Sequence, residues 1–358
     1  MRFEGEIVRY GIIGTGMMGC EHILNINLIP DAQVVAIADS NETSRGWGRS
    51  LAGEGVAVYR DYREMLREAA IDAVVIATPN FTHYNVLQDV FRTDKHVLVE
   101  KPLCTKVEDC HRIVEAATRR SSMIWVGMEY RYMAAVAALI DEVHRESLGR
   151  LRMLAIREHR FPFLTKVDNW NRFNRNTGGT LVEKCCHFFD LMNCITRQQP
   201  VRVYASGGQD VNHLDERYDG EVPDIIDNAF AIVDFDRGAR ALLDLCMFAE
   251  NSLNEVEITA TSDRGKLQAT IPENALYLCY RDGRPHERRG FDLDPAVKTA
   301  GAHQGSTYFE HLAFIQAVRS GGRPVVSVED GALSVAVGAA AEESIRKRRP
   351  VELSELGF

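Results

Sequence analysis

The stretch that decides the fold reads Tyr10-Gly11-Ile12-Ile13-Gly14-Thr15-Gly16-Met17-Met18-Gly19. Its G-x-G-x-x-G run follows an apolar strand and precedes a helical pattern, which is the context that dinucleotide binding requires. Gly14 permits the tight turn, Gly16 lets the backbone approach a pyrophosphate, and Gly19 lets the helix pack closely on the strand. The helix N-terminus at Met17 and Met18 then offers N–H groups to phosphate oxygens. The stretch therefore predicts a dinucleotide-binding domain.

Asp39 stands twenty residues after Gly19, at the end of the predicted second strand. A carboxylate at this place accepts hydrogen bonds from ribose hydroxyls and repels a 2′-phosphate. No arginine follows it before Arg45. The pattern favours NAD as the cofactor, and it leaves NADP possible if Arg45 or Arg60 folds back toward the ribose.

Short apolar runs alternate with amphipathic segments over about the first 130 residues, which is typical of a parallel sheet wound with helices. The predicted strands are Val8–Ile13, Gln33–Ala38, Ala57–Tyr59, Ala73–Ala77, His96–Val99 and Met123–Gly127. The predicted helices between them are Met18–Leu28, Glu42–Ala52, Tyr62–Ala69, His83–Phe91 and Val107–Arg119. We therefore predict an α/β Rossmann domain, with a doubly wound parallel sheet, over residues 1–128.

After Gly127 the pattern changes, and it predicts an α+β domain over residues 129–358. Predicted helices are Ala134–Glu146, a run from Gly178-Gly179 to Thr196, Tyr308–Arg319 and Glu329–Arg346; the stretch Phe161–Thr177 is irregular. Predicted strands are Leu151–Glu158, Val201–Ser206, Ala229–Phe235, Ala239–Phe248, Glu255–Ser262, Lys266–Ile271 and Ala275–Tyr280. The short turns at residues 236–238 and 263–265 predict an open, mostly antiparallel sheet. The last helix could pack back on the first domain.

Length and composition narrow the class of protein. The chain has 358 residues, which favours two domains, and its 42 Lys plus Arg against 51 Asp plus Glu give a formal charge of −9. Such a chain repels phosphate backbones and anionic membranes, so neither a nucleic acid nor a membrane is expected as a partner. Apolar stretches of about eight residues are too short to span a membrane, and the acidic N-terminus is unlike a signal peptide. Eight cysteines without a C-x-x-C pair are typical of reduced thiols in a cytoplasmic protein.

Three further motifs point to a family. They are Ala77-Thr78-Pro79-Asn80 with His83, then Glu100-Lys101-Pro102 after the fifth strand, then Gly178-Gly179 with Glu183, His187 and Asp190. Over nearly its whole length the chain resembles the glucose–fructose oxidoreductase/inositol dehydrogenase (Gfo/Idh/MocA) family. The resemblance implies an α+β domain whose exposed sheet face builds homodimers or homotetramers. It also implies an NAD(P)-dependent oxidoreductase acting on CH–OH groups of sugars, cyclitols or related polyols.

His187 is the predicted base. Hydride transfer to a nicotinamide requires removal of the alcohol proton, and imidazole suits this task because its pKa lies near neutrality. Glu183 lies four residues before His187 and Asp190 three after it, so the three side chains would share one face of a helix. A carboxylate there can orient the imidazole and stabilise its charged form. The same spacing is also that of a solvated stripe on a helix.

Lys101 directly follows the fifth strand, at the carboxyl edge where open α/β sheets bind ligands. Its ammonium could hydrogen-bond the reacting oxygen, favour the developing alkoxide and lower the pKa of a neighbouring base. The resemblance implies that this lysine is catalytic and that the peptide before Pro102 is cis. Lys101, Glu183 and His187 are therefore the predicted catalytic residues.

The sequence departs from the family pattern at Glu183, where members usually have Asp. The extra methylene should still let the carboxylate serve, whereas Lys184 is expected to form an ion pair nearby. Cys185 and Cys186 invite a zinc site with Glu183 and His187, but adjacent helical residues point about 100° apart and cannot both easily join a tetrahedral site. We therefore expect no metal and two thiols that act as buried small apolar groups.

The remaining site residues lie at the predicted cleft. Besides the glycine loop and Asp39, the residues predicted to contact the cofactor are Thr78, Asn80, His83, Glu100, Lys101 and Arg172. Arg172 belongs to a Trp-Asn-Arg run that resembles the family's Trp-Arg element, in which Arg can contact cofactor phosphate; a surface-loop arginine is the alternative. The residues predicted to meet substrate hydroxyls are Lys101, Tyr130, Asp168, His187 and His303, because a sugar needs several donors and acceptors.

The leading hypothesis is a dehydrogenase that acts on a secondary hydroxyl of a cyclitol, sugar or related polyol. One alternative is a glycosidase or lyase that retains NAD and acts by transient oxidation, so that product forms without net NADH. The other alternative is a non-catalytic dinucleotide-binding regulator. Lys101 and His187 argue against a regulator, since a pure sensor needs neither residue.

Overall fold

The computed structural model describes residues 7–358, which separate into two compact units. The first unit contains residues 7–132 and Leu293–Ala332, and the second contains Met133–Asp292 and Leu333–Phe358. The sequence instead places everything after residue 128 in the second domain. The return of Leu293–Ala332 to the first unit is a feature that the sequence pattern does not predict.

The first 126 described residues form alternating strands and helices. In chain order they are β1 (Val8–Ile13), α1 (Met17–Ile26), β2 (Ala32–Ala38), α2 (Glu42–Ala52), β3 (Ala57–Tyr59), α3 (Tyr62–Glu68), β4 (Ala73–Ile76), α4 (His83–Val90), β5 (His96–Glu100), α5 (Val107–Ala117) and β6 (Ile124–Gly127). Short 3₁₀ turns lie at Asn80–Thr82 and Glu129–Tyr132.

The middle of the chain is richer in strands. It contains α6 (Ala134–His144), β7 (Leu151–His159), a 3₁₀ turn (Val167–Arg172), α7 (Asn174–Thr177), α8 (Thr180–Glu183), α9 (Cys186–Thr196), β8 (Pro200–Gly208), β9 (Asn228–Phe235), β10 (Arg240–Cys246), β11 (Val256–Ser262), β12 (Gly265–Ile271), β13 (Ala275–Tyr280) and β14 (Glu287–Gly290). The end of the chain contains α10 (Pro295–Thr299), α11 (Ser306–Ser320), α12 (Val328–Lys347), β15 (Val351–Glu352) and a 3₁₀ turn (Leu353–Leu356).

The first sheet is parallel, with strand order β3-β2-β1-β4-β5-β6. In the centre, Ile12 of β1 pairs with Ile37 of β2 and with Val75 of β4. These strands are apolar and buried, as expected where helices cover both faces of a parallel sheet. The predicted doubly wound domain is confirmed. The strand order reverses between β1 and β4. Ligands of such sheets bind near this point, at the carboxyl ends of the strands.

Helix α11 explains why the late segment belongs to the first unit. The ring of His311 packs edge-on against Tyr10 of β1, with ring centroids 5.4 Å apart. The indole N–H of Trp125 on β6 donates a hydrogen bond to the Glu310 carboxylate at 3.1 Å. Apolar periodicity predicts that this segment is a helix, but it does not indicate which sheet the helix covers.

The second sheet has the strand order β14-β13-β12-β11-β7-β10-β9-β8-β15. Neighbouring strands are antiparallel except for β7 and β10, which are parallel, so the predicted mostly antiparallel sheet is confirmed. The sequence misses the short edge strands β14 and β15. Helices α6 and α9 pack on one face, where alternate residues of β7 such as Leu154 and Ile156 are buried. Over residues 7–358, no helix combines the length and the apolar character that crossing a membrane requires.

Candidate functional site

The glycine loop joins β1 to α1. Gly14 has a φ of 90°, and a Cβ on it would overlap with the backbone after β4. A Cβ on Gly19 would overlap with the Gly14 carbonyl oxygen, so the helix can approach the strand this closely only with glycine. A Cβ on Gly16 would meet no atom, and no side chain caps the start of α1. This open space beside the first-turn N–H groups of Met17 and Met18 fits the pyrophosphate of NAD.

Asp39 follows β2 and is held by backbone donors. Its carboxylate accepts the Thr15 N–H at 2.8 Å through Oδ2 and the Asn41 N–H at 2.8 Å through Oδ1. Each oxygen can accept a further hydrogen bond, which ribose hydroxyls can donate. Arg45 donates from its guanidinium to the carbonyls of Asp39 and Ser40, at 2.8 and 2.9 Å. The carboxylate thus fits the adenosine ribose, and Arg45 is held against the adjoining backbone.

The loops after β4 and β5 carry the other predicted cofactor contacts. Thr78 and Asn80 follow β4 and Lys101 follows β5, and the Lys101–Pro102 peptide is cis, as predicted. His83 is buried between these loops, with Nδ1 2.8 Å from the Pro102 carbonyl oxygen and Nε2 2.9 Å from the Thr78 carbonyl oxygen. Burial lowers the pKa of His83, and a neutral imidazole can donate to only one of the two carbonyls. The ring links two loops, whereas the sequence predicts a contact with the cofactor.

Glu100 is buried at the end of β5. Its Oε2 accepts the Lys101 N–H at 3.1 Å, and its Oε1 lies 2.9 Å from Nε2 of His22, whose Nδ1 lies 2.9 Å from Nε2 of His311. Burial opposes ionisation of Glu100, but the hydrogen bond from His22 and the electrostatic interactions with His22 and Lys101 outweigh it, so the pKa of Glu100 lies below its ordinary value. The carboxylate therefore supports the loop that carries Lys101, whereas the sequence predicts a contact with the cofactor.

The segment with the predicted base follows Gly178-Gly179 in the second unit. The sequence predicts one helix from this pair to Thr196, but the structure divides it into α8 and α9. At the division, the Cys185 N–H reaches back five residues to the Thr180 carbonyl oxygen at 3.4 Å, a wider turn than that of an α-helix. Glu183 therefore lies on α8 and His187 on α9, whereas the sequence predicts one helix for both; His187 and Asp190 share α9.

Glu183, His187 and Asp190 are nevertheless all buried. Their exposed fractions are 4%, 2% and 1%. The alternative of a solvated helix stripe is therefore wrong. Burying an imidazole between acidic residues costs free energy unless they are paired, and such groupings are concentrated at functional sites.

Lys184 is buried beside this segment. Its Nζ lies 2.8 Å from Oε1 of Glu158 on β7, which Arg160 also contacts at 3.3 Å. The expected ion pair of Lys184 is confirmed. Cys185 and Cys186 are buried, and burial raises the pKa of Cys185 well above its ordinary value. A neutral thiol is a poor metal ligand, which agrees with the interpretation of both as small apolar groups.

Arg172 and Asp168 lie on the turn before α7. The buried Arg172 guanidinium donates from Nε to Glu216 at 3.0 Å. Burial opposes ionisation of Glu216, but hydrogen bonds from His213, Tyr218 and Arg172 outweigh it and lower the pKa of Glu216 to about 2. A cofactor phosphate would therefore compete with an ion pair for Arg172. Asp168 is exposed, with a φ of 53°.

Tyr130 and His303 lie together in the first unit, with ring centroids 6.3 Å apart. Nδ1 of His303 lies 2.8 Å from Oε1 of Glu21 and 3.4 Å from Oε1 of Glu129, and Thr307 donates to Glu129 at 2.5 Å. One ligand atom from each of Glu21, Glu129 and His303 lies within 4.8 Å of the others, a spacing that a metal ion could bridge. Neither glutamate is predicted from the sequence, although Glu21 lies in the helix that follows the glycine loop, where the structure buries it.

Known proteins resemble the whole chain. A model described as "Oxidoreductase family, NAD-binding Rossmann fold" matches residues 8–128, and its companion for the C-terminal alpha/beta domain matches residues 140–353. Myo-inositol 2-dehydrogenase of Thermotoga maritima is 27% identical over 98% of this chain and 99% of its own. The scyllo-inositol 2-dehydrogenase (NAD(+)) of Bacillus subtilis is 25% identical over 97% of this chain and 96% of its own.

Among solved structures, levoglucosan dehydrogenase in complex with NADH and levoglucosan has a TM-score of 0.86 at 20% identity, over 97% of this chain and 100% of that chain. This likeness concerns the fold. The family models cover both structural units, and the glycine loop and Asp39 fit NAD. The chain therefore belongs to the Gfo/Idh/MocA oxidoreductase family and is an NAD(P)-dependent oxidoreductase with NAD as its cofactor.

Proposed function

We propose that this enzyme transfers a hydride between nicotinamide and a secondary hydroxyl of a cyclitol or a closely related sugar or polyol. The observation that carries the proposal is the burial of Glu183, His187 and Asp190 directly after the Gly178-Gly179 pair. Two relatives that match the chain over almost its full length are named inositol 2-dehydrogenases, which supports a cyclitol as the substrate class.

In the proposed reaction, His187 takes the hydroxyl proton while the neighbouring C–H bond releases its electron pair and hydrogen as a hydride. NAD⁺ supplies the hydride acceptor when it is bound. Glu183 stabilises the imidazolium once the proton has arrived. Lys101 donates a hydrogen bond to the reacting oxygen, which carries more negative charge as its proton leaves. The hydroxyl proton thus goes to His187, and the hydride goes to NAD⁺.

The other site assignments are also proposals. Thr78, Asn80 and Lys101 are proposed to contact the cofactor, and Tyr130, Asp168 and His303 to contact substrate hydroxyls. His83, Glu100 and Arg172 have polar partners within the protein, which supports a role in holding the loops of the site.

A substrate screen tests the proposed function. The purified enzyme would be incubated with inositol isomers, hexoses and anhydrosugars, each with NAD⁺ and with NADP⁺, and the NADH absorbance would be followed. We expect turnover with at least one cyclitol. Product formation without net NADH would instead indicate a glycosidase or lyase that retains NAD, and cofactor binding without any turnover would indicate a regulator.

Asp39→Ala should shift cofactor preference toward NADP. The variant loses the carboxylate that accepts ribose hydrogen bonds and repels a 2′-phosphate, so kcat/KM with NAD⁺ should fall about tenfold while the value with NADP⁺ rises. Steady-state kinetics with both cofactors measure the change. Asp94→Ala is the control, because Asp94 is exposed in the same unit. A wild-type enzyme that already prefers NADP⁺ would contradict the role given to Asp39.

We also propose that the enzyme assembles as a homodimer or homotetramer through the uncovered face of its second sheet. One row across this face contains Tyr204, Ile232 and Leu242, which are paired in register on β8, β9 and β10. Phe230 on the next row is 60% exposed and Met153 on β7 is 58% exposed. Contiguous exposed apolar side chains of this kind mark protein interfaces, and this chain's own sheet is the matching surface.

Phe230→Glu combined with Ile232→Glu should dissociate the assembly, because two charges would be buried against apolar partners. Light scattering after size-exclusion chromatography should report the mass of one chain for the variant and a multiple of it for the wild type. Leu253→Glu is the control, since Leu253 is 93% exposed and lies outside the sheet. A monomeric wild type would refute the proposed assembly.

The cytoplasm is the proposed location, and it is supported by the absence of disulfides among the eight cysteines, all of which are described.

A further inference from the structure

Glu342 lies on α12, and its side chain is directed at the start of α8. Its Oε1 accepts the backbone N–H of Leu181 at 2.9 Å. Leu181 is the second residue of α8, and the N-cap residue Gly179 has no side chain to bind that group. A carboxylate from a different helix thus performs the task that Asp or Ser usually performs at the N-cap.

Two glycines allow α12 to approach this closely. A Cβ on Gly179, whose φ is 103°, would overlap with the Glu342 carboxylate. A Cβ on Gly338, one turn before Glu342, would overlap with the Leu181 carbonyl oxygen. The backbone of Gly179 therefore lies against the Glu342 carboxylate, and the backbone of α12 at Gly338 lies against the Leu181 carbonyl oxygen. These two contacts tie the first turn of α8 to α12.

The carboxyl group of Glu342 is enclosed, although part of its side chain reaches the surface. Burial raises the pKa of Glu342 to about 7; the hydrogen bond from Leu181 opposes this shift and the negative charge of Asp224 adds to it. The Cys185 thiol is a second titratable neighbour of Glu342. Burial is the largest cause that raises the pKa of this thiol, and nearby negative charges, including that of Glu342, add to the shift. Glu183 lies on the same short helix as Leu181. The ionised carboxylate is a stronger acceptor than the neutral acid, but the raised pKa shows that burial of the charge costs more than this hydrogen bond returns, so ionisation weakens the hold on the segment as pH rises.

We propose that Glu342 is a positioning residue of the active site: its carboxylate holds the Leu181 N–H and so sets the orientation of the α8–α9 segment that carries Glu183 and His187. This inference rests on the proposed function, because Glu342 acts only through those two residues. It predicts an effect on the chemical step and none on cofactor binding.

Glu342→Ala should lower kcat about tenfold, the effect expected when a charge-assisted hydrogen bond is lost, and leave the Kd for NAD unchanged. Glu342→Gln retains an acceptor oxygen and should recover most of kcat. The pH profile of kcat should show two ionisations in the wild type and one in Glu342→Gln. Glu343→Gln is the matched control, because Glu343 is the next residue and pairs with Arg346 and Lys347 away from α8; it should keep the wild-type kcat and profile.

Thermal stability gives a second readout that does not depend on activity. The folded state binds the Glu342 proton more tightly than the unfolded state, since the pKa rises from 4.5 to about 7 on folding. Stability of the wild type should therefore fall, relative to Glu342→Gln, as pH rises through this window. Melting curves of both proteins across the window measure the difference.

Wild-type kcat in a folded Glu342→Ala would overturn the inference. Two ionisations in Glu342→Gln, together with a pH-independent difference in Tm, would overturn it even if Glu342→Ala does not fold. The proposed function would then still stand, because it is judged by the substrate screen and by replacement of His187. Loss of one ionisation in Glu342→Gln, with Glu343→Gln unchanged, supports the positioning role.

Discussion

His187→Ala should lower kcat by about 10²–10⁴-fold, the usual range for loss of a general base. His187 is buried next to the division between α8 and α9, and the methyl group of alanine cannot accept the hydroxyl proton in its place. The Kd for NAD should stay close to that of the wild type, because the glycine loop and Asp39 belong to the other unit. The expected signature is therefore a loss in kcat without a loss in cofactor affinity.

The pH profile separates this role from a structural one. For alcohol oxidation, kcat/KM of the wild type should rise through the ionisation of the base, and that limb should vanish in His187→Ala. His286→Ala is the control, since His286 is an exposed histidine of the same unit. A His187→Ala enzyme with wild-type kcat would refute the assignment of the base, and with it the proposed mechanism.

The cofactor half of the site could be predicted from the sequence because its determinants are local. The glycine loop, the strand before it and the helix after it are contiguous, and Asp39 follows at a fixed distance along one βαβ unit. The constraint at Gly19 is steric and involves Gly14, five residues away, whereas Gly14 itself approaches the backbone after β4. Local sequence therefore carries most of the information.

What lies around the edge of the first sheet could not be predicted in the same way. Glu100 ends β5 and His83 begins α4, and at either place a polar residue is equally compatible with facing a ligand or supporting a loop. Their partners decide the matter: Glu100 pairs with His22, which in turn contacts His311, and both histidines lie far away from Glu100 along the chain. The grouping of Glu21, Glu129 and His303 could not be predicted either, because the three residues lie far apart along the chain.

The segment that carries the proposed base shows a third kind of limit. Polar residues recur throughout residues 180–196, so Glu183 and Lys184 do not mark the division between α8 and α9, and no glycine or proline stands there. The support for this segment comes from Glu342, which is separated by 161 positions from Leu181. The sequence does not indicate which backbone N–H will donate to a glutamate on a C-terminal helix.

Lys101→Ala should also lower kcat, by about 10²-fold, because the developing alkoxide loses a charge-assisted donor. Lys101→Arg should restore little of this loss, since the planar guanidinium cannot occupy the place of a compact ammonium. The backbone N–H of Lys101 is held by Glu100, so both variants keep the loop's main-chain anchor. Lys106→Ala is the control, because Lys106 is an exposed lysine shortly after Lys101 in the same unit.

The two variants together decide which residue is the base. If His187 accepts the proton, Lys101→Ala keeps the rising limb of the pH profile at a lower kcat, and His187→Ala loses the limb. If Lys101→Ala loses the limb while His187→Ala keeps it, Lys101 is the titrating base and His187 only orients the substrate. That second result would reverse the roles proposed here. It would leave hydride transfer intact, because the glycine loop and Asp39 contribute to cofactor binding in either case.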